Sequence, residues 1–502
     1  MIRTKIVATM GPASSDVESL RQLFEAGVDV CRVNFSHGSL DSALTVLRNI
    51  REAAISTSRP IAILGDLCGP KIRLGKVADV DGLGGMPIKT GGLLTIQREA
   101  IVGTDGRVSS TYAGLVDDVR VGDGVLVEDG MLRFVCVEKT ADRIVCQCTA
   151  GGVLKSSKGI NLPSSSVNLP SMTERDWECV DWAVDNHLDY LALSFVRKAQ
   201  DITDLREYLR DKVSDIHLVA KIEKAEALQE IDAIIDASDG LMVARGDLGV
   251  EMDVAQVPII QKDLIYRCGV AGKPVIVATQ MLQSMIENSS PTRAEVSDVA
   301  NAIIDGTDAV MLSGETSVGK FPIGSVLTMS HVAQVTEEYL TTRAGSERRA
   351  ESRTVRFVRT NLTSGAMARG ALQIVNELAP KLVVVWTTTG ATARVFSKHR
   401  FPVPIIGLSS DHRVLRRMAL MYGVIAQEMP AGAEMNELIR RVDELVIERK
   451  FAAPSDRVLI VAGWSPAMPG TMNGMVVHTV GQQWIPMPTP KVLREFMKAE
   501  RE

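Results

Sequence analysis

Eight short apolar runs, each followed by a segment with helical spacing, are the sequence feature that most limits the fold. The predicted strands lie at residues 5–9, 28–35, 61–64, 190–195, 216–220, 241–244, 274–279 and 308–312. Eight is the number of parallel strands that closes a sheet into a barrel with helices outside it. The sequence therefore predicts an α/β protein built on a (β/α)8 TIM barrel.

Polar side chains recur in phase at the ends of most of these runs. They are Arg32, Asn34, Ser36, Asp66, Ser194, Lys221, Glu223, Asp247, Thr279, Ser313 and Glu315. Ligands gather beyond the carboxyl ends of parallel strands, so we expect these side chains to share one site. Two carboxylates suit a divalent cation such as Mg²⁺, and a lysine beside them suits phosphate. Phosphoryl transfer is the first candidate reaction, although each charge taken singly also fits a surface salt bridge.

Two further regions depart from the barrel pattern. Residues 70–169 carry many glycines, short strand-like runs and Asp-Gly turns, which predicts an inserted all-β lid domain after the third strand. Residues 341–482 return to alternating strands and helices and predict a C-terminal α/β domain with an open sheet. The barrel then occupies residues 1–69 and 170–340, and residues 483–502 form a tail.

Composition argues against several classes of function. A net charge of −5 and 4% aromatic residues disfavour a nucleic-acid binder. No apolar run approaches the length of a membrane span, and the N-terminal segment lacks the apolar core of a secretory signal. The seven cysteines are scattered without a Cys-x-x-Cys pair, so we expect a cytoplasmic protein with reduced thiols.

Several long motifs identify a family. They are TKIVATMGPAS (4–14), CRVNFSHG (31–38), GDLCGPKIR (65–73), KGINLP (158–163), AKIEKAE (220–226), DGLMVARGDLG (239–249), GKPVIVATQML (272–282) and PTRAEVSDVANAIIDGTDAVMLSGET (291–316). Over nearly its whole length the chain resembles the pyruvate kinase family. That resemblance implies transfer of a phosphoryl group from phosphoenolpyruvate to ADP, giving pyruvate and ATP in the last step of glycolysis.

The resemblance also implies roles for individual residues. Lys221 would steady the phosphoryl group, and Glu223 and Asp247 would ligate Mg²⁺ or Mn²⁺. Arg32, the amides of Gly246 and Asp247, and Thr279 would hold phosphoenolpyruvate, with Ser313 and Thr279 near the enolate. Asn34, His37, Arg73, Asp129 and Lys158 would meet the nucleotide.

One departure from the family pattern bears on a monovalent cation. Many family members hold K⁺ at the positions of Asn34, Ser36, Asp66 and the Leu67 carbonyl, and carry Glu where this chain has Lys71. A tethered ammonium can replace the charge of a mobile cation, so the chain resembles the K⁺-independent branch. Alternatively, Lys71 points to solvent and the ion still binds.

The resemblance adds a regulatory expectation. The loop TTTGAT, formed by Thr387, Thr388, Thr389, Gly390, Ala391 and Thr392, resembles the pocket for a phosphorylated allosteric effector. Hydroxyls and a following helix N-terminus suit an anion, although an ordinary capped loop has the same pattern. The family commonly forms tetramers, so we expect a homotetramer.

Two other functions fit part of the pattern. Another metal-dependent barrel enzyme of enolpyruvate chemistry would share the metal site, but it would not need Arg73 and Lys158 for a nucleotide. An inactive sensor would keep only the effector domain, and the presence of Lys221, Glu223 and Asp247 argues against it.

Overall fold

A closed barrel of eight parallel strands lies at the start of the chain. The computed structural model describes residues 2–80, 82–163, 165, 167–342, 362–430, 435–463 and 473–482. The barrel strands are β1 (Lys5–Thr9), β2 (Val30–Asn34), β3 (Ala62–Asp66), β12 (Tyr190–Leu193), β13 (His217–Ile222), β14 (Gly240–Ala244), β15 (Val275–Ala278) and β16 (Ala309–Leu312). Their order around the barrel is β1-β16-β15-β14-β13-β12-β3-β2. The predicted TIM barrel is confirmed.

Helices surround the barrel and cover its strands. They are α1 (Val17–Ala26), α2 (Leu40–Thr57), α4 (Glu174–Asp185), α5 (Ala199–Asp211), α6 (Ile231–Ala237), α8 (Val257–Ala271), α9 (Arg293–Asp305) and α11 (Pro322–Thr341), with short helices α7 (Arg245–Glu251) and α10 (Gly314–Ser317). Oxygen-bearing side chains of Asp16, Ser39, Thr173 and Thr292 accept hydrogen bonds from the first turns of four of them. Because helices pack on the outer face of every strand, the strands are buried on both sides and read as continuous apolar runs.

The fifth barrel strand differs from its predicted bounds. β13 runs to Ile222, two residues past the predicted end at residue 220, so Lys221 is itself a strand residue. Lys221 and Ile222 pair with Met242 and Val243 of β14. The register therefore holds the backbone of Lys221 against β14 where its side chain enters the site.

The segment between β3 and β12 forms separate sheets with their own core. Its elements are β4 (Met86–Ile88), β5 (Leu93–Gln97), β6 (Arg107–Ser109), α3 (Leu115–Asp118), β7 (Gly124–Val127), β8 (Leu132–Lys139), β9 (Arg143–Ala150), β10 (Gly152–Leu154) and β11 (Ile160–Asn161). Six strands form one sheet in the order β11-β7-β8-β9-β5-β6, and β10 pairs with β4. Buried side chains such as Leu94, Val125 and Phe134 form a core distinct from that of the barrel.

A second compact unit begins after residue 358. It holds helices α12 (Leu362–Leu378), α13 (Ala391–Lys398), α14 (His412–Met418) and α15 (Met435–Glu448), with strands β17 (Leu382–Trp386), β18 (Ile405–Ser409), β19 (Val424–Glu428), β20 (Arg457–Ala462) and β21 (Gly474–Thr479). The sheet order is β19-β18-β17-β20-β21, with β21 antiparallel to β20. This open sheet confirms the predicted C-terminal α/β domain. The predicted tail, residues 483–502, lies outside the described residues.

The structure also describes the cysteines and the apolar character of the helices. All seven cysteines are free thiols. Among the helices that the structure describes, none has the length and apolar character needed to cross a bilayer.

A glycine pair tests the tight packing of the barrel. A Cβ added at Gly65 of β3 would lie 2.8 Å from a ring carbon of Phe35 and 2.9 Å from a methyl of Leu188. Gly65→Ala should lower the free energy of unfolding by about 1–3 kcal/mol through overpacking. Gly269→Ala in α8, where the added Cβ meets nothing within 4 Å, should raise it by up to about 1 kcal/mol. Urea midpoints measure both, and equal shifts in one direction would contradict this packing.

Candidate active site

The buried ammonium of Lys221 lies at the centre of the polar strand ends. Its Nζ donates to Ser194 Oγ at 2.6 Å and lies 3.1 Å from Asp66 Oδ1 and 2.8 Å from Glu223 Oε1. The residue is 9% exposed. An ammonium held by two carboxylates and a hydroxyl is fixed in position, so its charge is oriented before an anion arrives and little reorganisation is needed.

The charges of this cluster stabilise one another. Burial acts to lower the pKa of Lys221, but the negative charges of Asp66 and Glu223 outweigh it and hold that pKa above its ordinary value. Burial likewise acts to raise the pKa of Asp66, yet Lys221 and Arg32 keep it below its usual range. Lys221 is therefore charged and Asp66 ionised at neutral pH.

Arg32 is anchored beside this cluster from β2. Its Nε donates to Asp66 Oδ2 at 2.6 Å and its Nη1 to Thr9 Oγ1 at 2.9 Å. Thr9 closes β1 and Asp66 closes β3, the two strands that flank β2. The neighbouring strands therefore aim a planar, permanently charged guanidinium into the same site as Lys221.

Glu223 is oriented by the backbone of the preceding barrel unit. The Phe195 N–H, just after β12, donates to Glu223 Oε2 at 2.8 Å. Phe195 has φ 55°, a left-handed conformation that is strained for an aromatic residue. This conformation directs the Phe195 N–H toward the Glu223 carboxylate.

A second strained turn lies at the end of β15. Thr279 and Gln280 have φ values of 69° and 54°, and a β-branched residue rarely adopts such a conformation. Thr279 Oγ1 accepts from the Gly246 N–H at 2.8 Å. A Cβ on residue 246 would lie 3.3 Å from that hydroxyl oxygen, so glycine permits the close approach.

Arg245 holds this turn against the barrel. Its Nη2 donates to the Thr279 carbonyl at 2.8 Å, and its Nη1 pairs with Asp298 of α9 at 2.7 Å. The turn after β15 and helix α9 therefore fix the start of α7, which carries Gly246 and Asp247.

Glu223 and Asp247 fit a divalent cation. Burial and the negative charge of Asp247 raise the pKa of Glu223 above its ordinary value, despite Lys221 beside it. A bound cation reverses that effect, because it favours both carboxylates in their ionised form. Among the described residues, no group of three or more His, Cys, Asp or Glu side chains is placed so that it could hold a metal ion. Mg²⁺ is commonly bound by one or two carboxylates together with waters and substrate oxygens, so the pair is sufficient.

Ser313 lies at the end of β16. Its N–H donates to Glu315 Oε2 at 2.7 Å, and the other oxygen of Glu315 accepts from the Leu282 N–H at 3.0 Å. The fully buried Glu315 thus ties the loops after β15 and β16 together. Glu315 is a strand-end residue with a structural contact rather than a free carboxylate.

The residues expected to meet a nucleotide are more dispersed. Arg73 Nη1 donates to the Ser157 carbonyl at 3.2 Å, and Lys158 Nζ pairs with Glu128 at 2.7 Å. Asp129 lies in a turn with φ 53°, and His37 is exposed. Within the described residues, these side chains form no hydrogen bond or ion pair with the Lys221 cluster.

The oxygens expected to hold a monovalent cation already accept hydrogen bonds. Asp66 accepts from Arg32, the Leu67 carbonyl accepts from Ser194 Oγ at 2.7 Å, and Asn34 Oδ1 accepts from the Ser36 N–H at 3.1 Å. The exposed Lys71 lines a cavity of about 300 Å³, and its other lining residues include Ser36 and Arg73. In the structure, Asp66 forms ion pairs with both Lys221 and Arg32, and the sequence alone did not predict these contacts.

The TTTGAT loop precedes α13 in the second unit. Gly390 has φ 82°, its N–H donates to Thr387 Oγ1 at 3.0 Å, and the Ala391 N–H donates to Thr389 Oγ1 at 3.4 Å. Thr388 and Thr389 are exposed, whereas Thr387 is buried and Thr392 partly buried. The loop caps its own helix and presents two hydroxyl-bearing side chains to solvent.

Three residues of the site have contacts that the sequence did not predict. Ser194 bridges Lys221 and the Leu67 carbonyl, Phe195 orients Glu223, and Thr9 orients Arg32. Ser194 and Thr9 carried a signal, because each is a polar residue at the end of an apolar run. Phe195 carried none, because its contribution is a backbone amide.

Comparisons with known proteins agree on one family. Residues 1–326 match the family described as "Pyruvate kinase, barrel domain", and residues 365–478 match "Pyruvate kinase, alpha/beta domain". A pyruvate kinase of Geobacillus stearothermophilus is 43% identical over 482 residues, which cover 95% of this chain and 80% of that protein. One from Mycobacterium tuberculosis is 40% identical over 480 residues, covering 96% and 99%. A crystal structure of a pyruvate kinase from Cryptosporidium parvum is similar with a TM-score of 0.88 and 35% identity, covering 95% of this chain and 96% of that one.

Proposed function

Because the chain belongs to the pyruvate kinase family, we propose that the Lys221 cluster is its catalytic centre. The protein is a phosphotransferase that moves the phosphoryl group of phosphoenolpyruvate to ADP and so forms pyruvate and ATP. One observation supports the assignment most strongly. A buried ammonium lies within 3.1 Å of two carboxylates at the carboxyl ends of barrel strands, with Arg32 beside it.

The transfer breaks the bond between phosphorus and the enol oxygen and forms a bond from phosphorus to a terminal oxygen of ADP. Lys221 faces the negative charge that spreads over the equatorial phosphoryl oxygens in the transition state. Glu223 and Asp247 hold Mg²⁺ or Mn²⁺, which supplies further neutralisation of those oxygens when bound. The remaining enolate of pyruvate takes a proton from solvent water at its terminal carbon, and Thr279 and Ser313 would lie near that carbon.

Phosphoenolpyruvate is held by groups that the barrel pre-orients. The planar guanidinium of Arg32 donates hydrogen bonds to the phosphate of phosphoenolpyruvate. The contacts to Asp66 and Thr9 hold Arg32 in position. The amides of Gly246 and Asp247 and the hydroxyl of Thr279 receive its carboxylate. The direct Gly246–Thr279 hydrogen bond keeps these groups together before the substrate arrives.

The nucleotide lies between the barrel and the inserted sheets. We propose a barrel domain at residues 1–69 and 170–340, a lid at 70–169, and a regulatory domain at 341–482. Arg73, Asp129 and Lys158 of the lid, with Asn34 and His37 of the barrel, bind ADP. Closure of the lid excludes water and prevents hydrolysis of the phosphoryl group.

Lys221→Met tests the central role. Loss of the ammonium should lower kcat for pyruvate formation by about 10²- to 10³-fold, because one preorganised charge at the transition state is removed. Lys212→Met, which removes an exposed ammonium paired with Asp181, should leave kcat unchanged. A coupled pyruvate assay with matched circular dichroism spectra measures both. Unaltered turnover in Lys221→Met would contradict the assignment, whereas a wild-type protein that forms no pyruvate would favour an inactive sensor.

We propose that activity does not require K⁺. Two observations support this proposal. Oxygens of Asp66, Leu67 and Asn34 already accept hydrogen bonds, and Lys71 lines the same cavity as Ser36. A lysine in that cavity supplies a fixed positive charge where other members use a mobile one.

Lys71→Glu should create a K⁺ requirement. With tetramethylammonium in place of K⁺, its rate should fall about tenfold or more, since a positive charge near the site has become negative. The wild-type protein and the exposed-lysine control Lys76→Glu should change by less than about twofold. A collapse of the wild-type rate without K⁺ would contradict the proposal.

Regulation, assembly and location are also proposals. A phosphorylated effector binds the loop Thr387–Thr392. The protein forms a homotetramer, which sedimentation velocity can measure. It resides in the cytoplasm, where its thiols stay free. The exposed Thr388 and Thr389 hydroxyls before α13 support an anion site.

Thr388→Glu tests the effector loop. A carboxylate beside the proposed phosphate position should abolish the shift in phosphoenolpyruvate saturation caused by sugar phosphates or nucleoside monophosphates, through like-charge repulsion. Ala453→Glu, an exposed site elsewhere in the same unit, should retain that shift. A retained response in Thr388→Glu would place the effector elsewhere.

A further inference from the structure

An ion pair joins the two segments that carry the metal-binding carboxylates. Lys224 follows Glu223 directly in the chain, and Glu251 ends α7 one helical turn after Asp247. Lys224 Nζ lies 2.7 Å from Glu251 Oε1, with side chains 18% and 4% exposed. Residues four apart on a helix share one face, so Asp247 and Glu251 project from the same side of α7. The pair therefore spans the gap between the Glu223 and Asp247 backbones.

The inserted domain contacts the same carboxylate oxygen. Asn161 Nδ2, in β11, donates to Glu251 Oε1 at 2.9 Å, and the contact is buried. Asn161 comes three residues after Lys158, which we assign to the nucleotide. One oxygen of Glu251 thus joins the end of β13, helix α7 and the lid.

The same pair also reaches the turn that orients Glu223. Lys224 Nζ lies 5.9 Å from the centre of the Phe195 ring, whose own N–H donates to Glu223. Phe195, Lys224, Asp247, Glu251 and Asn161 all line one cavity of about 60 Å³. These side chains therefore surround one small space, and a shift of Glu251 changes the surroundings of Asp247 and Phe195.

A purely stabilising role explains this arrangement poorly. Buried ion pairs contribute little net stability, because desolvation offsets their attraction. Groups that orient metal ligands, in contrast, commonly change metal affinity by about 10- to 100-fold when they are removed.

We propose that Glu251 is a positioning residue. Through Lys224 it sets the separation of Glu223 and Asp247, and through Asn161 it links that separation to the position of the lid. The inference rests on the proposed function, because it takes Glu223 and Asp247 as the ligands of the divalent cation.

Direct Mn²⁺ binding, measured from the electron paramagnetic resonance of the free ion, tests the first half. Glu251→Gln keeps the shape of the side chain and removes its charge, and it should weaken Mn²⁺ binding by about tenfold. Glu223→Gln, the reference for a lost ligand, should weaken it at least as much. Glu226→Gln is the matched control, because Glu226 lines the same cavity yet forms no ion pair among the described residues, and its Kd should stay within about twofold.

A double-mutant cycle tests the pairing. Lys224→Met should also weaken Mn²⁺ binding. The double variant Lys224→Met with Glu251→Gln should bind Mn²⁺ no more weakly than the worse single variant, because both substitutions remove the same interaction.

Asn161→Ala tests the link to the lid. It should raise KM for ADP about fivefold, with the Kd for Mn²⁺ within about twofold of the wild type. Additive losses in the cycle, or an unchanged KM in Asn161→Ala, would overturn the corresponding half of the inference.

The outcomes separate this inference from the proposed function. Wild-type Mn²⁺ affinity in Glu251→Gln, together with a loss in Glu223→Gln, would overturn the role of Glu251 and leave the metal site standing. Wild-type affinity in Glu223→Gln would overturn both. If the melting temperature shows that Glu251→Gln does not fold, the results for Lys224→Met and Asn161→Ala decide the question. Both of these variants should fold, because Lys224 is partly exposed and Asn161 carries no charge.

Discussion

A buried ammonium that only carboxylates can neutralise is the constraint on which the site depends. Lys221 is charged at neutral pH because Asp66 and Glu223 lie within 3.1 Å of it. Transfer of an unpaired charge of this kind from water would cost several kcal/mol or more. Asp66 in turn is shared with Arg32, so two cations and two anions hold one another in fixed positions. In the proposed reaction, a phosphoryl group that enters this cluster would meet charges already oriented for it.

The barrel supplies the geometry that this charge cluster needs. Because its strands are parallel, Thr9, Arg32, Asp66, Ser194 and Lys221 all reach the same end of one closed sheet. Two turns with positive φ, at Phe195 and Thr279, then aim a backbone amide and a hydroxyl at their targets. A strained backbone conformation of this kind persists only when the surrounding structure holds it in place. Here the buried barrel strands that precede the two turns hold them.

Much of this arrangement was predictable from the sequence because apolar runs and their polar ends repeat in register. The eight strands, the inserted sheets and the C-terminal open sheet followed from periodicity, and Lys221, Glu223 and Asp247 from their positions at strand ends. The pairing of Asp66 with Lys221 was not predictable, because one sequence does not show which strand ends adjoin across the barrel. The backbone contribution of Phe195 and the Asn161–Glu251 contact were hidden for similar reasons: the first has no side-chain signature, and the second joins residues 90 positions apart.

The central element of the proposed site is a divalent cation held between Glu223 and Asp247 beside the Lys221 ammonium. A crystal structure with Mn²⁺, located by its anomalous scattering, measures this directly. We predict one peak with carboxylate oxygens of both residues at about 2.1 Å, the distance typical of small hard divalent cations, and Lys221 still paired with Asp66. A peak that contacts neither carboxylate, or Asp247 turned away from Glu223 in the metal-bound protein, would contradict it.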